Sequence, residues 1–234
     1  MLAIYKKELR SYFTTPLGYI FCAVFLAISG FVLAVSTVQS QTTDISGYFG
    51  VMIFGYIIAL PLLTMKSFSE ERRLRTDQIL MTSPVSVTSM VMAKFLASYT
   101  LFVAVTGISC IYLIPISHYG TLNAARTVGC LVAMLLIGMC FIAIGIFVSS
   151  LTESQVTAAI GTMAVLLLLA CFSLFNGMID SYVLRSIFTW LSVYGRYVNF
   201  TYGIFDIAST VYYLSLSAVF LFLSVRVHER RRWA

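Results

Sequence analysis

The sequence predicts an all-α membrane protein: six transmembrane helices, an N-terminal amphipathic interfacial helix, a charged cytosolic helix and re-entrant helices in the outer leaflet. Three observations carry that prediction. Of 234 residues, 60% are hydrophobic and only 10% charged, with a mean hydropathy of +0.95. That is too little charge to cover a soluble globule of this size. Six apolar runs, at 17–38, 48–65, 92–116, 128–150, 156–176 and 204–225, approach the roughly 20 helical residues needed to cross a hydrocarbon core about 30 Å thick. The runs are continuously apolar rather than alternating, which excludes a β-barrel.

Each element has a local reason. Residues 1–16 place Leu2, Tyr5, Leu9, Tyr12 and Phe13 at helical spacing, with Lys6, Lys7 and Arg10 elsewhere on the wheel. That is the pattern of a helix lying in the membrane interface. Thr15-Pro16 then turns the chain into the first span, which is longer than a signal-peptide core, is followed by no small-residue cleavage site, and is expected to be retained. The second run carries Pro61 near its end, a kink tolerated where a neighbour satisfies the freed carbonyl. The outer segment 177–203 is too aromatic for a solvated loop. Val183, Ile187, Leu191 and Tyr194 follow a helical repeat there, predicting short helices that dip into the outer leaflet among Trp190 and several tyrosines. No internal repeat interrupts the single membrane domain expected over 1–234.

Charge placement sets the expected orientation. Of the fifteen basic residues, only Arg126, Arg185 and Arg196 fall on the side opposite the termini. The others cluster at 6–10, 66–94 and 226–232. This asymmetry predicts a multi-pass protein with both termini in the cytosol. The net charge of +6 belongs to that cytosolic face, so nucleic acid is not an expected partner.

Several kinds of chemistry have no support in the residues. There is no G-x-x-x-x-G-K-[ST] sequence for a nucleotide, no G-x-S-x-G nucleophile and no deep carboxylate pair. No catalytic, cofactor-binding or metal-binding residue is therefore assigned, and the chain is not expected to be an enzyme. Cys22, Cys110, Cys130, Cys140 and Cys171 all lie in apolar runs and read as packing residues. His118 and His228 stand at span ends without flanking ligands and read as a loop and a tail histidine. Lys94 and Asp206 lie near span ends and Glu153 in a short turn, leaving the midplane uncharged. A bundle without a proton or cation path is expected to take its power from a partner.

The cytosolic loop 66–90 holds the densest charge, Glu70-Glu71-Arg72-Arg73-Leu74-Arg75-Thr76-Asp77. Ser67 and Glu70 have capping-box spacing, Glu70 and Glu71 would occupy the first turn, and Pro84 would stop the helix. Glu71 with Arg75 and Arg73 with Asp77 have i, i+4 spacing. A short charged helix follows, and a solvated loop that only sets topology is the alternative reading of the same charges.

The stretch Phe68-Ser69-Glu70-Glu71-Arg72-Arg73, with Thr76 and Ile79-Leu80-Met81-Thr82-Ser83-Pro84-Val85-Ser86, resembles the cytosolic signature of type-2 ABC transporter permeases. Its form there is close to F-S-E-E-[KR]-x-x-G-T-x-x-[IL]-L-x-[TS]-x-P-[VI]-S. Further stretches resemble the branch that includes gliding-motility-associated permeases: Lys6 to Ile20, Gly145 to Gln155, Leu191 to Asp206, Tyr212 to Ser215 and Arg231 to Trp233. Arg75 stands where that signature usually has glycine.

The resemblance implies the permease subunit of an ATP-binding cassette transporter. It further implies an exporter of an apolar or amphipathic compound, pairing with a second copy or a sister permease. ATP and Mg would be bound by a separate cytosolic ATPase subunit. Phe68, Glu70, Glu71, Arg72, Arg73 and Thr76 would form the ATPase-coupling helix, and Tyr5, Lys6, Lys7 and Glu8 the gating helix. Glu70 and Glu71 would pair with basic groups of the ATPase or with Arg72 and Arg73. Tyr194, Phe200 and Tyr202 are candidates for an outer gate, with anchoring in the interface as the alternative role. A non-transporting membrane component of a mechanical or signalling complex, of the gliding type, is the alternative function.

Overall fold

The computed structural model describes residues 1–38, 45–73, 86–119, 123–175, 192–203 and 205–232, and contains no strand among them. Helix α1 is Leu2–Thr14. Thr15 is extended, with its hydroxyl donating to the Ser11 carbonyl at 2.7 Å, and Pro16 opens α2, Pro16–Leu33. Proline suits this position because the first turn of a helix has no internal use for its N–H. A π-helical turn, Ala34–Val38, ends the first span.

Helix α3, Ser46–Thr64, leads through Met65 directly into α4, Lys66–Arg73. Met65 keeps right-handed helical backbone angles, so span two and the start of the expected loop form one nearly continuous rod. Helix α5, Val87–Ser109, begins five residues earlier than the apolar run suggested, because Ser86 caps it by accepting from the Ser89 N–H. One 3₁₀ turn, Cys110–Tyr112, separates it from α6, Leu113–Tyr119, which contains Pro115. Proline clashes with the carbonyl four residues back, here that of Ile111, and the helix tightens at that point.

Asn123 caps α7, Ala124–Leu151, and after a short turn at Glu153 comes α8, Gln155–Phe175. Helix α9, Val193–Thr201, is the part of the outer aromatic segment that the structure describes. Val183, Ile187 and Leu191, expected to share a short helix with Tyr194, lie outside the described residues, as do Thr76, Asp77 and Arg75. The last helix, α10, is Ile207–Arg232.

Six of these segments are long and apolar enough to cross a membrane, matching the six expected runs. Two are central. The α3–α4 rod is 72% buried over its most apolar stretch and α7 61%, against 17–33% for the other four. Helix α7 packs against α3, α8 and α10, and α2 and α5 close the other side. Small residues let these helices approach. A Cβ on Gly138 would lie 2.3 Å from the Phe102 ring. Phe102 in turn meets Tyr56 edge-on at 5.2 Å and Phe25 at 6.1 Å, binding α2, α3 and α5 through aromatic contacts.

The link from α9 to α10 backs onto the start of α7 through Gly203, whose φ is +75° and whose N–H donates to the Phe200 carbonyl at 3.0 Å. Left-handed backbone costs about 1–2 kcal/mol for a residue with a Cβ. Gly203→Ala is expected to lower stability by that amount, with Gly203→Asn losing less because asparagine tolerates this region. Thermal unfolding of the purified variants in one detergent checks the order.

Candidate functional site

The end of the bundle that carries both termini is rich in charge and is assembled around Lys94. Lys94 is in the second turn of α5 and only 2% exposed. Its ammonium has three protons and finds three acceptors: Glu71 Oε1 at 2.9 Å from α4, Glu8 Oε1 at 3.3 Å from α1, and the Ser67 carbonyl at 2.6 Å. It also lies 4.9 Å from the centre of the Phe68 ring. One buried cation thus joins three helices, two of them the expected gating and coupling helices. Around it is a cavity of about 190 Å³, lined also by Lys7, Tyr12, Lys66 and Glu70.

Helix α1 reaches this cluster along one face. The Tyr5 hydroxyl donates to Thr100 Oγ1 at 3.3 Å, Glu8 meets Lys94, and Tyr12 OH lies 2.9 Å from Ser98 Oγ and 3.4 Å from the Leu63 carbonyl. These residues are spaced three and four apart, so they fall on one stripe. Burial raises the pKa of the Tyr12 phenol above its ordinary value, keeping it a neutral hydrogen-bonding group. Leu2 and Phe13, members of the expected apolar face, remain exposed. The docked face therefore combines Tyr5 and Tyr12 from the apolar side with Glu8 and leaves Leu2 and Phe13 uncovered. Lys6 is also exposed, and Lys7 borders the cavity.

Helix α4 differs from its expected construction. Ser67 does not form a capping box: the helix starts one residue earlier, and the Ser67 hydroxyl is buried without a hydrogen-bond partner. The cap comes from α7. Ser149 Oγ accepts from the N–H groups of Phe68 (3.1 Å) and Ser69 (3.2 Å) and donates to the Met65 carbonyl at 3.3 Å. Those are backbone groups that a helix start leaves without internal partners. Gly145, one turn earlier on α7, makes the approach possible, since a Cβ there would sit 2.2 Å from Thr64 Oγ1.

Further along, Arg72 reaches the turn after α7, with Nη2 at 2.8 Å from Glu153 Oε1 and Nη1 donating to the Leu151 carbonyl at 3.1 Å. Glu70 pairs with Lys66 at 3.2 Å, so neither glutamate occupies a first helical turn. Arg73 is exposed at the tip.

Two participants escaped sequence reasoning. Lys94, read as an ordinary residue near a span end, is the centre of the site. His228, read as a tail histidine, is buried on α10 with its ring 4.3 Å from that of Phe68. Its Nδ1 is 2.9 Å from the Ser224 carbonyl, which can only accept, so Nδ1 carries a proton. The one signal for Lys94 was a cation within an otherwise apolar stretch, whereas His228, set among Arg226, Glu229 and Arg230, carried none.

At the opposite end, the candidate gate residues occupy different environments. Phe200 is fully buried, Tyr194 packs on Phe54 at 5.8 Å, and Tyr202 is 69% exposed. Tyr213 OH donates to the Val193 carbonyl at 2.7 Å, and Tyr197 OH reaches the Ser46 carbonyl at 3.4 Å, fixing α9 to α10 and α3. Asp206 accepts from Ser209, Asn199 and the Ala208 N–H, bonds that hold its carboxyl below the usual carboxylate value. No group of three or more metal-ligating side chains is found among the described residues.

Six spans, four of them around the two buried ones, with a charged helix projecting from one of the buried pair and pinned at its root, define a helical multi-pass membrane protein. The chain matches the ABC-2 family transporter protein family over residues 32–227, and it belongs to that family. Its members are the membrane subunits of ABC transporters, not the ATPases. A comparison with curated proteins gives no match.

Proposed function

We propose that this chain is the permease subunit of an ATP-driven exporter of an apolar or amphipathic compound. A separate cytosolic ATPase docks on α4, and a second permease, identical or a sister chain, completes the pathway. In this reading both termini lie in the cytosol of a bacterial cell, and the residue likeness to gliding-associated permeases marks the branch. The observation that carries the proposal is the joint fixing of α4 by Lys94, Ser149 and Arg72. A helix continuous with span two and pinned to α1, α5 and α7 transmits a push as a rigid body, where a solvated loop would absorb it. Phe68, Glu71 and Arg72 are the inward anchors of that lever. Glu70, Arg73 and Thr76 are the groups assigned to the ATPase, and Tyr5 and Glu8 carry the movement into α1. Tyr194, Phe200 and Tyr202 are the outer candidates for gating.

The test separates docking from folding. Glu70→Lys combined with Arg73→Glu alters the two charges least involved in the internal cluster. Membrane abundance should hold, while copurification of the ATPase falls about tenfold, as expected when charges at an interface are reversed. Undiminished copurification would remove α4 as the docking element. Substrate-stimulated ATP hydrolysis in liposomes supports export, whereas intact docking without any such stimulation favours the mechanical role.

A further inference from the structure

At the end of the bundle opposite α1 and α4, Arg196 of α9 has no carboxylate partner among the described residues. Its guanidinium lies 4.1 Å from the centre of the Tyr212 ring on α10, and its Nε is buried without a hydrogen-bond acceptor. Asp206 does not serve it, since its oxygens are taken by Asn199, Ser209 and the Ala208 N–H. A guanidinium beside membrane-spanning helices is costly without a counter-charge, and stacking on tyrosine offsets only part of that cost. The side chain as a whole remains partly open. Ring and fork are therefore set to receive an anion from outside the chain, with the planar geometry that matches a phosphate. Beside Tyr212, an exposed apolar stripe of Ile207, Val211 and Leu214 runs along α10 at i, i+4 and i+7.

We propose that Arg196 and Tyr212 form a binding site for the anionic headgroup of a membrane phospholipid, whose acyl chains lie along the Ile207, Val211 and Leu214 stripe. The headgroup supplies a counter-charge that no described residue gives, and the stripe selects a lipid over a free anion. The site stands apart from the ATPase-coupling end and does not depend on the transported substrate.

The full-length protein, purified in nanodiscs of equal parts phosphatidylglycerol and phosphatidylcholine, tests this by counting retained lipid after transfer to detergent. Wild type should keep phosphatidylglycerol over phosphatidylcholine by about tenfold, the size of one charge-assisted contact. Arg196→Gln should abolish the preference. Arg196→Lys should leave part of it, because the charge stays and the fork is lost. Tyr212→Leu, which keeps the cation and removes its support, should weaken it and serves if Arg196→Gln does not fold. Equal retention of both lipids by wild type, or full preference in Arg196→Gln, overturns the site. Displacement of the lipid by millimolar inorganic phosphate overturns the lipid as its occupant and leaves a simple anion.

Discussion

Lys94→Met is expected to destabilise the protein by about 3–5 kcal/mol, the cost of removing one partner from a buried ionic cluster. Methionine fills similar volume, so the loss is electrostatic. Glu8 and Glu71, which converge on one ammonium at 3.3 and 2.9 Å, would lose the cation that lies between them, and the Ser67 carbonyl would lose its donor. The side chains of Glu8 and Glu71 are 15% and 16% exposed, too little for water to take over the ammonium's role. The triple variant Glu8→Gln, Lys94→Met, Glu71→Gln should recover much of the loss, since a cluster neutralised as a whole leaves no buried charge. Thermal midpoints of the solubilised variants measure both effects. A single variant as stable as wild type would mean that the cluster does not hold α1 and α4 to α5. The same result separates the glutamates: charge reversal at Glu71 should disturb the fold, whereas at Glu70, which among the described residues pairs with its neighbour Lys66, it should not.

Ser149→Ala is expected to cost about 2–3 kcal/mol by leaving the Phe68 and Ser69 N–H groups buried and unpaired. The damage should be local to the root of α4. Hydrogen exchange over residues 66–73 should accelerate while the core of α7 stays protected, and ATPase stimulation should fall without loss of ATPase binding. Arg72→Ala offers the contrast. Its partner Glu153 is 75% exposed, and pairs of that kind contribute under about 1 kcal/mol. Slow exchange at 66–73 in Ser149→Ala would show that α4 is held by something other than this cap.

The sequence determined the spans, the amphipathic first helix, the Thr15-Pro16 corner and the absence of nucleotide or metal motifs. Each of these depends on residues adjacent in the chain: hydropathy sums over a local window, and a proline acts on its own turn. The charged helix after span two was also legible, although its cap was assigned to Ser67, the nearest hydroxyl in sequence. The tertiary structure decided instead for Ser149, 81 residues from Phe68, because α7 crosses α3 closely enough at Gly145 and Thr64 to offer its side chain. Lys94 and His228 were hidden for the same reason. A lysine near a span end is equally consistent with reaching for water and with burial, and only the arrival of Glu8 from 86 residues away, together with Glu71, settles it. Chain-local chemistry thus fixed which segments cross the membrane and where charge collects. Partners brought together by helix packing decided which of those charges are internal joints and which stay exposed.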